Sequence, residues 1–297
     1  MNKLLLTLLM LIATAWPSTS FAFEYQGIDY DQDDYTGTCV VSDRNRKITG
    51  DIILPEKPIC DQVIENGIII APGLEYTLVG ISEGAFSGSE ITSISIPETV
   101  TRIGDSAFWG CSSLTSINIP NNSVTQIGKG AFSGCSSLTS IHIPESVTQI
   151  GNIAFSGCSS LTSINIPNSV TQIGEGVFSD CSSLISIDIL NAVPRIGINA
   201  FYSCSSLTSV HLPEGITQIG ENAFRYCTSL TSINIPNSVT EIGESAFDSC
   251  TSLSSIYIPN GVTQIGEYAF ELCSSLKSIN IPEAATQISR GAYRGCI

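Results

Sequence analysis

The residues with the widest chemical reach in this chain are its 11 cysteines. Nine of them, Cys111, Cys135, Cys158, Cys181, Cys204, Cys227, Cys250, Cys273 and Cys296, recur at a nearly constant interval. Thiols in such a series can bind metal, form a ladder of disulfides, or stand as a column of small buried hydrophobes. A tetrahedral metal site needs ligands that converge on one point, whereas a regular interval spreads them along a line. Stacked strands about 4.8 Å apart would bring neighbouring Cα atoms within disulfide range. Side chains that all point the same way into a core do not face one another, however, and an odd number cannot pair completely. Buried free thiols are therefore the expectation. Cys39 and Cys60 lie outside the series and are expected to form a disulfide in an oxidising compartment.

Two further sets of residues invite a chemical reading. Asp29, Asp31 and Asp33 alternate like the first ligands of a calcium loop, but Asp34 stands where that loop needs glycine and Val40 where it needs a bidentate glutamate. A solvated acidic strand or turn is expected instead, and no metal or cofactor. The 2 histidines, His142 and His211, are three repeats apart, about 14 Å by strand spacing, too far to share a metal. Asp188 and His211 fall in adjacent repeats, close enough for a hydrogen bond. No Ser or Cys nucleophile in a pocket and no oxyanion donor stands beside them. Active-site residues concentrate on irregular loops, of which the sequence has almost none, so the chain is expected not to be an enzyme.

What positions these side chains is a repeat. Ile81, Ile103, Ile127, Ile150, Ile173, Ile196, Ile219, Ile242, Ile265 and Ile288 each open a copy of the unit I-G-x-x-A-F-x-x-C-S-S-L-T-S-I-x-I-P-x-S-V-T-Q, giving nine whole copies and a partial tenth. Seven consecutive steps are 23 residues; the first is 22 and the second is 24, with an extra residue at Asn121-Asn122. A period of 20 to 29 residues with regularly spaced aliphatics marks a leucine-rich-repeat solenoid. Phe86, Phe108, Phe132, Phe155, Phe178, Phe201, Phe224, Phe247 and Phe270, with Tyr293 in the last copy, predict a stacked aromatic spine. The S-I-x-I-P segment alternates polar and apolar and reads as a short strand with its isoleucines inward, ended by a proline that cannot donate to a ladder. The repeated glycine, as at Gly104, Gly128 and Gly151, reads as a backbone turn closed to other residues. The A-F-x-x-C stretch is expected to form a single helical or 3₁₀ turn at most. The predicted architecture is a right-handed coil with a parallel β-sheet on its inner face and short helical or 3₁₀ turns outside, its ten copies spanning roughly 45–50 Å.

Hydrophobic residues make up 42% of the chain and charged residues 13%, so a core can be buried while Ser, Thr and Asn carry the surface polarity. The net charge of −15 opposes the counterion release that drives nucleic-acid binding, and excludes DNA, RNA and anionic membrane surfaces as partners. Residues 1–22 read as a secretory signal peptide: Lys3, an apolar run from Leu4 to about Ala15, then Ser20-Phe21-Ala22 as the cleavage site. The apolar run is short of the roughly 20 residues needed to span a bilayer. Residues 23–80 lie outside the repeat, although Gly50-Asp51-Ile52-Ile53-Leu54-Pro55 echoes its strand, and are expected to form a β-rich N-terminal cap. Residues 81–297 are the repeat domain.

The repeat closely resembles the bacterial surface-antigen class of leucine-rich repeats, the BspA-like or Treponema-type class, over about residues 81–297. The opening of the mature chain, Phe23 to Tyr30, is similar to the start of many such proteins. Leu190 in place of proline, Val177 in place of alanine and Ser289 in place of glycine depart from the pattern. The resemblance implies a secreted or surface protein that binds host proteins, matrix or other cells, with no catalytic residue to carry over. Core positions repeat almost without change, whereas the strand midpoint varies: Ser95, Asn118, His142, Asn165, Asp188, His211, Asn234, Tyr257, Asn280. From Asn118 to Asn280 this stripe is the expected ligand-binding surface, for an extracellular protein or glycan, with Tyr257 as its aromatic anchor. The protein is expected to be monomeric and secreted, surface-bound or periplasmic. A structural spacer that assembles end to end through its last copy is the alternative.

Overall fold

The computed structural model describes residues 21–25, 28–33, 38–41, 48–60, 64–65, 68–69, 74–75, 77–189 and 193–296. Each copy from that of Ile81 to that of Ile242 contributes two short strands, and each kind stacks in parallel on its equivalents in neighbouring copies, with breaks described below. The first kind is the expected one, running from Glu90–Ser95 through Ser116–Asn118 to Ser255–Tyr257. We refer to it as the serine ladder. Its register is residue for residue, with Ile94 beside Ile117 and Ile187 beside Val210. Alternation turns Ser116 and Asn118 outward while Ile117 and Ile119 enter the core. The second kind is the T-Q-I segment, from Arg102–Ile103 and Gln126–Ile127 to Gln287–Ile288. This glutamine ladder buries most of its isoleucines, Ile103 and Ile127 among them, and exposes Arg102 and Gln126 before them; Ile173 is half-buried and Ile288, in the last copy, is exposed.

The third side of the coil differs from expectation. The A-F-x-x-C stretch forms a succession of turns rather than a helical or 3₁₀ turn. Ser106 and Gly110 both take left-handed backbone angles, φ 52° and 69°, and the equivalent residues of later copies do the same. That geometry lets alternate amides serve different partners. Ala107 and Trp109 donate to carbonyls three residues back, while Ser106, Phe108 and Gly110 donate at 2.7 Å to Lys129, Ala131 and Ser133 of the next copy. A helix would consume every amide internally, leaving nothing to join the copies on this side. Inside it stand the predicted rings, from Phe86 to Tyr293, stacked with centroids 5.2–5.8 Å apart.

The repeated glycine is also explained differently. Gly151 has no left-handed backbone; a Cβ there would lie 2.5–2.8 Å from backbone atoms of Gly128 and Lys129 in the preceding copy. The requirement is close approach between copies at this corner. Contact relaxes at one place. A Cβ on Gly197 would meet its neighbours only at 3.3–3.6 Å. The glutamine ladder breaks at the same level, between Gln172–Ile173 and Arg195–Ile196, and Phe178 and Phe201 tilt by 19°. Leu190, which replaces the strand-ending proline in this copy, lies outside the described residues.

The N-terminal region is β-rich, as expected, and extends both ladders. β1 (Phe21–Tyr25) pairs antiparallel with β2 (Ile28–Asp33), which pairs antiparallel with β3 (Thr38–Val41). β3 then runs parallel to Thr77–Ile81, the first strand of the glutamine ladder. β4 (Thr49–Ile53) runs parallel to Glu90–Ser95, with Ile52 beside Ile94, so the sequence echo at residues 50–55 is an extra rung of the serine ladder. The cap is thus a solenoid turn of altered sequence, covered by an antiparallel hairpin that meets the open end of the sheet.

Candidate functional site

The variable stripe occupies the serine ladder in the order the repeat dictates. His142 stands beside Asn165, Asn165 beside Asp188, Asp188 beside His211, and Asn234 beside Tyr257. From Asn118 to Tyr257 these residues are exposed. The ladder divides between Asn118 and Ser140, where the extra residue at Asn121-Asn122 falls, and again after His211. At the first division Asn121 Oδ1 lies 3.1 Å from Nε2 of His142, so the insertion fixes the orientation of a stripe residue. Asn118 donates to Ser95 Oγ at 3.3 Å. Tyr257 is 58% exposed, and Ile185, just before the strand Ser186–Asp188, is 52% exposed in a column otherwise filled by threonine, serine and lysine. The face therefore pairs polar side chains with two large apolar ones. Asn280 is different. Its amide accepts from Ile258 N at 2.9 Å and donates to Ile258 O at 2.7 Å, acting as a substitute strand partner for the preceding copy.

The repeat cysteines are free thiols, fully buried from Cys111 to Cys273 and partly buried at Cys296. Each Sγ points to the carbonyl of the phenylalanine in the preceding copy at 2.9–3.2 Å, from Cys111 on Phe86 to Cys296 on Phe270. Cysteine suits this position because it is small, apolar and still a weak donor. Burial pushes the Cys158 thiol up to about 12 and the Cys135, Cys181, Cys227 and Cys250 thiols well above the usual range. A protonated, enclosed thiol is neither a nucleophile nor a metal ligand. Cys39 is likewise buried, on β3, and Cys60 lies on the strand Ile59–Cys60 of another sheet. The Cys60 side chain, and with it the expected pairing, lies outside the described residues.

Asp29 and Asp31 lie on β2, on the face opposite the buried Ile28 and Tyr30, so this acidic run is a strand rather than a loop that could wrap an ion. Asp34 lies outside the described residues. Among the described residues no three His, Cys, Asp or Glu side chains converge.

A second surface has no counterpart among the sequence motifs. A groove of about 950 Å³ runs along the glutamine ladder, lined by Arg102, Gln126, Gln149, Gln172, Arg195 and Gln218, with Lys129, Asn152 and Glu175 on one flank and Thr171 and Thr217 on the other. Gln126 donates to Gln149 at 3.0 Å, and Gln218 to Glu241 at 3.0 Å. The signal was present, because Arg102, Arg195 and Glu241 interrupt the glutamine column much as histidine and tyrosine interrupt the stripe. The column is less varied than the stripe, because most copies carry glutamine there.

The description of the BspA-type leucine-rich-repeat region fits residues 79–206 and 177–297, together more than half of the chain. Among solved structures, a leucine-rich repeat protein from Bacteroides ovatus is similar at 26% identity and TM-score 0.59, covering 95% of this chain and 92% of its own. A leucine-rich cell surface protein from Faecalibacterium prausnitzii is similar at 27% identity and TM-score 0.50, covering 94% and 93%. The pneumococcal vaccine antigen PcpA shares the fold at 19% identity and TM-score 0.56, covering 91% and 83%. No curated protein matches the chain by sequence.

Proposed function

The chain belongs to the BspA-type leucine-rich-repeat family, and from that premise we propose that it is an exported or surface-exposed binding protein whose serine-ladder face recognises an extracellular protein or glycan. The observation that carries this reading is the stripe itself. On a face where neighbouring columns repeat threonine and serine, the midpoint column changes from Asn118 to His142, Asp188, His211 and Tyr257, all exposed and in register. Packing does not select these residues, since alternation turns them away from the core. Tyr257 supplies a rigid amphipathic surface of the kind that anchors interfaces, and the exposed Ile185, just before the strand that carries Asp188, adds apolar area. A role outside the cytoplasm is supported by the leader-like residues 1–22 and by the similar cell surface protein. No helix of the described residues is long and apolar enough to cross a membrane.

The test begins with an unbiased pull-down by the mature protein from host or environmental extracts. Affinity for whatever is recovered is then measured for the triple variant His142→Ser, His211→Ser, Tyr257→Ser. Loss of at least about tenfold with unchanged melting supports the serine-ladder face. Unchanged affinity removes it.

A further inference from the structure

We propose that the groove along the glutamine ladder is a second binding site, for an extended uncharged polysaccharide lying along the solenoid axis. The site is separate from the serine-ladder face, and the proposal does not depend on that face binding anything.

The groove extends from the rung of Ile81, beside Glu83, to that of Gln218, seven rungs or about 29 Å at strand spacing. Its floor presents the same group at every rung except where arginine replaces glutamine. A primary amide has two N–H donors and two acceptor lone pairs. The Gln126 to Gln149 bond uses one donor of the first and one lone pair of the second, which leaves donors and acceptors on both side chains facing the groove. A ligand that satisfies this array must itself donate and accept at short, regular intervals. Sugar hydroxyls do both.

Charge narrows the choice. The lining holds three cations, Arg102, Lys129 and Arg195, against three anions, Glu83, Asp105 and Glu175. A quarter of the chain's 12 basic residues therefore neutralise this one region of a molecule whose net charge is −15. A polycation would find better complementarity almost anywhere else on the surface, and a polyanion meets long-range repulsion without a local excess of positive charge. Composition excludes the remaining classes. No aromatic side chain lines the groove, and of the isoleucines at its base Ile103, Ile127 and Ile150 are buried and Ile173 half-buried. A protein partner would lack the desolvated pocket that interface anchors need, and a lipid would meet a lining in which polar groups predominate.

Affinity electrophoresis of the full mature chain tests the proposal, using gels that contain mixed-linkage β-glucan, xylan, mannan or dextran, with polygalacturonate and polylysine as charged probes. At least one neutral polymer is expected to retard the protein, and raised salt should not release it. The double variant Gln149→Ala, Gln172→Ala should weaken retardation about tenfold or more, while Trp109→Ser, an exposed residue of the turn side outside the groove, should leave it unchanged. Both glutamines are exposed, and Gln218→Ala provides a second variant should the first melt early. No retardation by any neutral polymer overturns the proposal. So does retardation that both groove variants leave intact, or salt-sensitive retardation by a charged probe alone. The serine-ladder reading stands or falls separately, on the triple variant of its own face.

Discussion

Phe201 is 1% exposed and stacks on Phe178 and Phe224 at 5.5 and 5.2 Å. Truncating it leaves a ring-sized hole between copies that cannot collapse without disturbing the hydrogen bonds joining neighbouring copies, so Phe201→Ala should destabilise by roughly 3–5 kcal/mol in denaturant titration. Melting like the parent would contradict the spine. The corner glycines make a comparison within one molecule. Gly151→Ala forces a methyl group to within 2.5–2.8 Å of the preceding backbone, whereas Gly197→Ala meets nothing closer than 3.3 Å. The first should cost about 1–3 kcal/mol by overpacking and the second clearly less. Equal losses would mean that both glycines serve backbone conformation instead of close approach.

At the scale of the element, each strand is too short to hold itself, and the copies are tied by side chains as well as amides. Threonine hydroxyls of the glutamine ladder donate to the preceding copy's carbonyl at 3.0–3.4 Å, from Thr101 on Val79 to Thr263 on Thr240. Serine and threonine are thus abundant for cohesion as well as solubility. The thiol column adds a pH dependence. The ordinary cysteine value is 9.0, while the folded Cys111 and Cys158 thiols are pushed up to about 12. Below pH 9 both folded and unfolded chains keep these protons, and the stability is fully present. Above it the unfolded chain releases protons that the folded chain retains, so stability is lost as pH rises from about 9 towards 12. Urea midpoints should fall steeply across that interval, and Cys158→Ala should shallow the slope by about one proton. A slope identical in the variant would show that Cys158 does not titrate on unfolding.

For the whole molecule, stability should sum over copies and their contacts, with the cap closing one end of both ladders. β1 begins at Phe21, and its pairing with β2 runs from Phe21 and Gln32 to Tyr25 and Ile28. Cleavage after Ala22 would remove two of these five pairs and keep those of Phe23, Glu24 and Tyr25. N-terminal sequencing of exported protein is expected to start at Phe23; exported material beginning with Met1 would refute the leader assignment.

The repeat length, the Phe column, the inward isoleucines and the outward stripe were legible in the sequence because each depends on local periodicity, which stacking simply multiplies. The echo at residues 50–55 was legible for the same reason, as an isolated copy of the strand pattern. Three matters were decided only by tertiary structure. The turn beside the phenylalanines is not helical, because its amides are needed by the next copy, a demand invisible within one repeat. The corner glycine answers to a backbone one turn away, where a side chain would collide, and not to its own torsion angles. The groove lies along the glutamine ladder because concavity is a property of stacked copies: a single T-Q-I segment carries the side chains but has no shape.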